Sequence, residues 1–152
     1  GFTDEFYRKI VRGDYGPVLR TAEIAKGSGC HVEITTLLIP GLNDSEDEIR
    51  MLVDWIAEKL GRETPLHFSR YFPNYELHLE PTPLETLRRA RDIAREKLLY
   101  VYLGNVADGE TSSTYCPYCR NIIIERTGYK VNCSGLVEGR CAECGENVDV
   151  VD

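Results

Sequence analysis

No apolar run in this chain approaches the length of a membrane span. The longest such stretch, LLIPGL, falls far short of the roughly 20 residues a bilayer crossing needs, so no membrane role is expected. The opening residues show no basic segment followed by an apolar one, so no secretory leader is visible and the expected compartment is the cytoplasm. There is also no P-loop, no G-x-G-x-x-G, no G-x-S-x-G and no H-E-x-x-H, which sets aside the nucleotide, hydrolase and metalloprotease readings those motifs carry. His31, His67 and His78 lack a paired-ligand spacing, and no histidine metal site is expected.

A concentrated basic face is missing too. The 18 Lys and Arg residues are outnumbered by 25 Asp and Glu, for a net charge of −7. Only LRRARDIAREK is locally basic, and it reads as a solvated helix face with pairs such as Glu85–Arg89. Duplex binding needs clustered cations, so no nucleic-acid partner is expected. With 42% hydrophobic and 28% charged residues, the composition is that of a folded globular protein and not of a disordered one.

What the chain does have is cysteine, gathered near one end. Cys116, Cys119, Cys141 and Cys144 form two C-x-x-C pairs, and 21 residues separate Cys119 from Cys141. That is the zinc-ribbon spacing. Each pair sits on a tight turn that offers two thiolates to one edge of a tetrahedron, and the residues between must form strands that bring the turns together. NIIIERTGYKV fits, with Thr127-Gly128 as the hairpin turn. Pro117 stiffens the first turn, Gly145 suits the second, and Arg120 stands where Gly is the commoner choice. A disulfide scaffold would spread its cysteines over the whole chain, and a thioredoxin-like pair needs a helix start. The expected ligand is a structural zinc, with a rubredoxin-like iron as the rival. Four thiolates close the coordination shell, so the ion should do no chemistry. Cys133 is read as a bystander thiol and Cys30 as a small buried hydrophobe.

Upstream, helices and strands alternate. TDEFYRKIV and GPVLRTAEIAKGSG read as helices, followed by the strand HVEITTLLI. Ser45 and Glu48 make a capping box for a helix whose stripe is Ile49, Leu52, Val53, Ile56 and Leu60, ending at Gly61. LHFSRYF is the next strand. Thr82 and Glu85 make a second capping box for LETLRRARDIAREKLL, and YVYLGNV is the last strand. Such a series implies right-handed parallel βαβ units. The fold class is therefore α/β: a partial β/α barrel of about three parallel strands, spanning 1–110, with a small β-rich zinc ribbon at 111–152. Three strands do not complete a barrel. Together with the opening Gly1, this leads us to expect a piece of a longer polypeptide.

Strand alternation offers a hint of function. Val32, Ile34 and Leu38 should face the helices, leaving His31, Glu33 and Thr35 opposite. In the second strand Leu66, Phe68 and Phe72 should oppose His67, Ser69 and Tyr71. A parallel strand buried on both faces is apolar throughout, so a polar face suggests a solvated interior that holds a ligand; an edge strand with one wet face is the alternative. In β/α folds the functional groups gather after the strands' C-terminal ends. Those ends offer Asn43 and Asp44, then Ser69, Arg70 and Tyr71, then Gly104 and Asn105. Arg70 could bind a carboxylate or phosphate.

TTLLIPGLNDSEDEI, HFSRYFPNYEL, PTPLETLRRARDIA, YVYLGNV and the terminal YCPYC…GYKV…C..CG resemble, in order, the C-terminal half of radical S-adenosylmethionine enzymes of the AmmeMemoRadiSam type. These are related to glycyl-radical activating enzymes such as pyruvate formate-lyase activase. The resemblance implies a partial β/α barrel and a pocket rim at Thr35, Ser69, Arg70 and Asn105 that binds cofactor and substrate. It also implies S-adenosylmethionine and a [4Fe–4S] cluster in the full-length protein, held by a C-x-x-x-C-x-x-C motif that these residues lack. The chain alone should therefore be inactive, with no catalytic residue of its own. Thr35 stands where the activases often keep an Arg, and Phe72 where a His would help bind the cofactor. The implied partners are the N-terminal half of the barrel and a protein substrate or Memo-type partner. The competing reading is a zinc-ribbon interaction module with a supporting α/β body and no catalysis.

Overall fold

Residues 1–106 and 109–150 are described by the computed structural model, and the chain divides into two units, Gly1–Asn105 and Val106–Asp152. In the first, α1 (Asp4–Phe6) runs into a π-helical turn (Tyr7–Val11) and is followed by α2 (Tyr15–Gly27). Then come β1 (Ile34–Leu38), α3 (Glu46–Trp55) with its π-helical end (Ile56–Leu60), β2 (Leu66–Arg70), α4 (Leu84–Arg95) and β3 (Val101–Gly104). The strands form one parallel sheet in the order β1-β2-β3. Among the described residues the sheet is open and does not close into a barrel, and β1 and β3 each have one neighbour.

The core follows from the helix periodicity. Ser45 Oγ accepts the Glu48 N–H at 3.2 Å and starts α3. The reciprocal arm of the capping box goes elsewhere, because the Glu48 carboxylate accepts the Phe2 N–H. Ile49, Leu52, Val53, Ile56 and Leu60 are all buried, as their spacing demands. With Leu87, Ala90, Ile93 and Ala94 of α4, they cover one face of the sheet, onto which Leu38, Leu66, Phe68, Val101 and Leu103 project.

Three expectations are corrected here. Thr82 does not cap α4; the N-cap is Pro83, with no side-chain bond. The fully buried Thr82 hydroxyl instead donates to the Leu38 carbonyl at 2.6 Å and accepts the Tyr71 N–H at 2.9 Å, tying the ends of β1 and β2 together. Phe72 is exposed and Tyr71 buried, the reverse of the alternation, because β2 ends at Arg70. Tyr71 then packs with Phe6 and Ile39, and its hydroxyl donates to the Leu77 carbonyl at 2.6 Å. Cys30 is exposed, because α2 has already ended and the chain turns outward at Gly29.

The second unit is a set of short strands: α5 (Gly109–Ser112), β4 (Thr114–Tyr115), β5 (Ile122–Thr127), β6 (Lys130–Asn132), β7 (Leu136–Val137) and β8 (Arg140–Cys141). β4, β5 and β6 make an antiparallel sheet, and β7 and β8 a separate hairpin. Thr127 pairs with Lys130, so the turn is Gly128-Tyr129, one residue beyond the expected place. Among the described residues, no helix is long and apolar enough to cross a membrane.

Candidate metal centre

Two hairpin turns deliver the four paired cysteines to one point. The Cys116 and Cys144 sulfurs are 3.7 Å apart and those of Cys119 and Cys141 3.6 Å, and all four lie within 4.8 Å of one another. A tetrahedron with metal–sulfur bonds of about 2.3 Å has edges of about 3.8 Å, so the four thiols are positioned to bind one metal ion. A disulfide requires about 2.05 Å, and all six cysteines are free.

The two turns share one geometry. Arg120 N–H donates to the Cys116 carbonyl at 3.0 Å, and Gly145 N–H to the Cys141 carbonyl at 2.8 Å. Each turn then needs a left-handed residue behind its second cysteine, and Arg120 (φ 64°) and Gly145 (φ 75°) fill that place. Arg120 adopts the conformation despite its Cβ, at a cost of about 1 kcal/mol.

Electrostatics explain why a cation suits the cluster. The Cys141 thiol is pulled down to about 7, first by the backbone N–H of Cys144 and then by that of Glu143 and the neighbouring thiols, against burial. Cys144 receives the Glu146 N–H, which lowers it, yet burial and the other three thiols push it up to about 12. Cys119 is likewise raised, although the backbone N–H of Asn121 lowers it. One thiolate forms readily and makes the next harder to form. A divalent cation removes that conflict and lets all four ionise.

Gly135 is a structural residue that sequence reasoning missed. A Cβ there would lie 2.2 Å from the Ile122 carbonyl oxygen and 2.7 Å from Ile123 Cα. The loop leading to the second turn crosses the β5 backbone at that point, and Ala142 N–H donates to the Gly135 carbonyl at 2.9 Å. A glycine in an otherwise strand-like spacer was the only sequence signal. Cys133, outside the cluster, is exposed.

In the first unit, the sheet face away from the helices is open and polar. Thr35, His67 and Tyr102 stand in register, and so do Leu37, Ser69 and Gly104. Ser69, Arg70 and Asn105 come together at the strand ends: Asn105 Nδ2 donates to the Arg70 carbonyl at 3.2 Å, and Ser69 is the register partner of Gly104. Arg70 Nε donates to the Thr82 carbonyl at 2.8 Å, and its guanidinium lies over the Phe72 ring at 4.8 Å. Thr35 is not at this rim. It pairs with His67, three residues before Arg70, near the start of the edge strand β1.

A second group on this face was invisible in the sequence. Glu33 bridges two histidines, with His31 Nε2 3.0 Å from one carboxylate oxygen and His67 Nε2 2.8 Å from the other. His67 also stacks on Tyr102, with ring centroids 4.9 Å apart. The Glu33 carboxyl is held below its usual value, first by the His31 hydrogen bond, then by His67, against partial burial.

No protein-family model matches the chain. It is 45% identical over 151 residues to an uncharacterized protein of Methanocaldococcus jannaschii. The match takes in 97% of this chain and 45% of that protein, so the chain spans rather less than half the length of the relative.

Proposed function

We propose that this chain is the C-terminal part of a radical S-adenosylmethionine enzyme of the AmmeMemoRadiSam type, ending in a ribbon that holds a structural zinc. The observation that carries the reading is the open polar face of a parallel sheet whose other face packs against α3 and α4. A solvated barrel interior accounts for Thr35, His67, Ser69 and Tyr102 on that face. The residue order of the resemblance and a relative more than twice as long support it as well.

Ser69, Arg70 and Asn105 are the residues that would hold S-adenosylmethionine. Arg70 gives Nε to the Thr82 carbonyl, and that bond aims its terminal N–H groups for a carboxylate. The cofactor's part, when bound, is to supply a 5′-deoxyadenosyl radical. The iron–sulfur cluster that generates the radical does not fit here. No three cysteines have the C-x-x-x-C-x-x-C spacing, and the four close thiols fit a single ion. Ribbon spacing on two hairpin turns favours zinc in that place, and a closed shell leaves it no catalytic position.

The test has two arms. Elemental analysis of the purified chain should find one zinc and a colourless protein; one iron with visible absorbance would overturn the zinc assignment. The full-length polypeptide, anaerobic and reduced, should cleave S-adenosylmethionine to 5′-deoxyadenosine, and Arg70→Ala should raise KM for it about tenfold. A full-length protein without C-x-x-x-C-x-x-C sinks the reading.

One observation favours a second reading. Tyr118, Tyr129, Val131 and Val137 of the ribbon are all exposed, as an interaction module would have them. Deleting residues 116–144 would then abolish partner capture and leave turnover intact.

A further inference from the structure

Helix α2 is 13 residues long and buries none of its side chains. It is nevertheless fixed in place. Trp55 Nε1 donates to Glu23 at 3.0 Å, and Lys26 Nζ donates to Glu63 at 2.9 Å and to Thr64 at 3.3 Å. These bonds hold α2 beside the end of α3, whose other neighbour is α4. Between α2, α1 and the outer edge of β1 lies a cleft of about 370 Å³, walled by Ile10, Val18, Leu19, Ala22, Leu37 and Trp55.

Among the described residues, the floor of the cleft is a strand edge with no neighbouring strand. Ile34 N–H donates to the Pro65 carbonyl at 2.9 Å, which turns the backbone groups of Ile34, Thr36 and Leu38 toward β2. Thr35 and Leu37 therefore direct theirs the other way. The Leu37 carbonyl is met by Asn43 Nδ2 at 2.8 Å. The Thr35 N–H and carbonyl and the Leu37 N–H face the cleft.

Chain direction says what fits. β1–α3–β2 and β2–α4–β3 each step one strand along the sheet, and parallel crossovers of this kind are right-handed in nearly every known case. α2 precedes β1 and packs on the end of α3. A strand feeding α1 and α2 by the same crossover lands on the free edge of β1, inside the cleft. We propose that the cleft is the seat of a further parallel strand, with apolar side chains at alternate positions facing α2. It is supplied by the remainder of a polypeptide of the relative's length. The inference rests on the partial-barrel part of the proposed function and not on its radical chemistry.

The experiment joins this chain to the part of the Methanocaldococcus jannaschii relative outside the matched residues, as one polypeptide. The same two pieces, co-expressed separately, replace it if the fusion is insoluble. The Thr35 and Leu37 amides should exchange at least about tenfold more slowly there than in the 152-residue chain alone. Leu19→Asp should leave the melting temperature of the 152-residue chain unchanged and lower co-purification of the separate remainder at least tenfold. Ile24→Asp, exposed on α2 outside the cleft, should lower neither. Unslowed Thr35 and Leu37 amides in both formats overturn the proposal. So does slowing that grows with concentration in the chain alone, which makes a second copy the occupant. Slowed amides beside a remainder without cluster cysteines keep the strand and sink the radical reading, and a bound cluster with fast amides does the reverse.

Discussion

Among the described residues, the unit Gly1–Asn105 buries twenty apolar side chains, whereas Val106–Asp152 buries five, and two of those are Cys116 and Cys141 of the four-cysteine cluster. The first has helices with continuous stripes and a sheet to press them on. The second has strands of two to six residues, too short to bury a core of their own. In the first unit removal of apolar surface from water holds the fold; in the second, which buries little, four close sulfurs are positioned to bind one ion and so to supply the fastening that a core does not.

Removing the ion should break this comparison most visibly. Chelation, or Cys141→Ser, should melt the strands of the second unit and leave amide protection in the first unchanged, with an effect on the order of 10 kcal/mol. Heteronuclear NMR reads the two units separately. Ile56→Ala is the mirror experiment. Ile56 is fully buried, so the change should destabilise the first unit by about 3–5 kcal/mol in denaturant titrations without altering metal stoichiometry. Gly135→Ala should cost about 2–3 kcal/mol in the second unit alone, because its new methyl meets backbone that cannot step aside. Metal affinity measured by competition checks it.

The smallest effect concerns acid. The Glu33 carboxyl titrates below its ordinary value of 4.5 in the fold, so its stabilisation is present above that value and is lost as pH falls through the folded value. Melting temperatures across roughly pH 3 to 5 should fall less steeply in Glu33→Gln than in the parent. Equal slopes would show that the His31–Glu33–His67 bridge contributes nothing.

What could be read from the sequence was whatever depends on local spacing. The stripe from Ile49 to Leu60 was legible because a helix of 3.6 residues per turn leaves one way to bury those five side chains. The paired cysteines were legible because a C-x-x-C turn and a returning hairpin leave the sulfurs little choice. Thr82 misled because a buried hydroxyl satisfies two distant backbone groups before it caps its own helix. Phe72 and Tyr71 exchanged roles because alternation holds only while the strand lasts. Of the four expected rim residues, Ser69, Arg70 and Asn105 gather and Thr35 does not, since position along a strand is set by register. The Glu33 bridge was hidden for the same reason: His67 reaches it across strands, 34 residues away.

Trp55 is the chain's single tryptophan, and it lies in the first unit with its ring 5.6 Å from Phe2 and its indole N–H on Glu23. Intrinsic emission excited on the red edge therefore watches one half of the protein only. It follows unfolding of the α/β half and any guest entering beside α2.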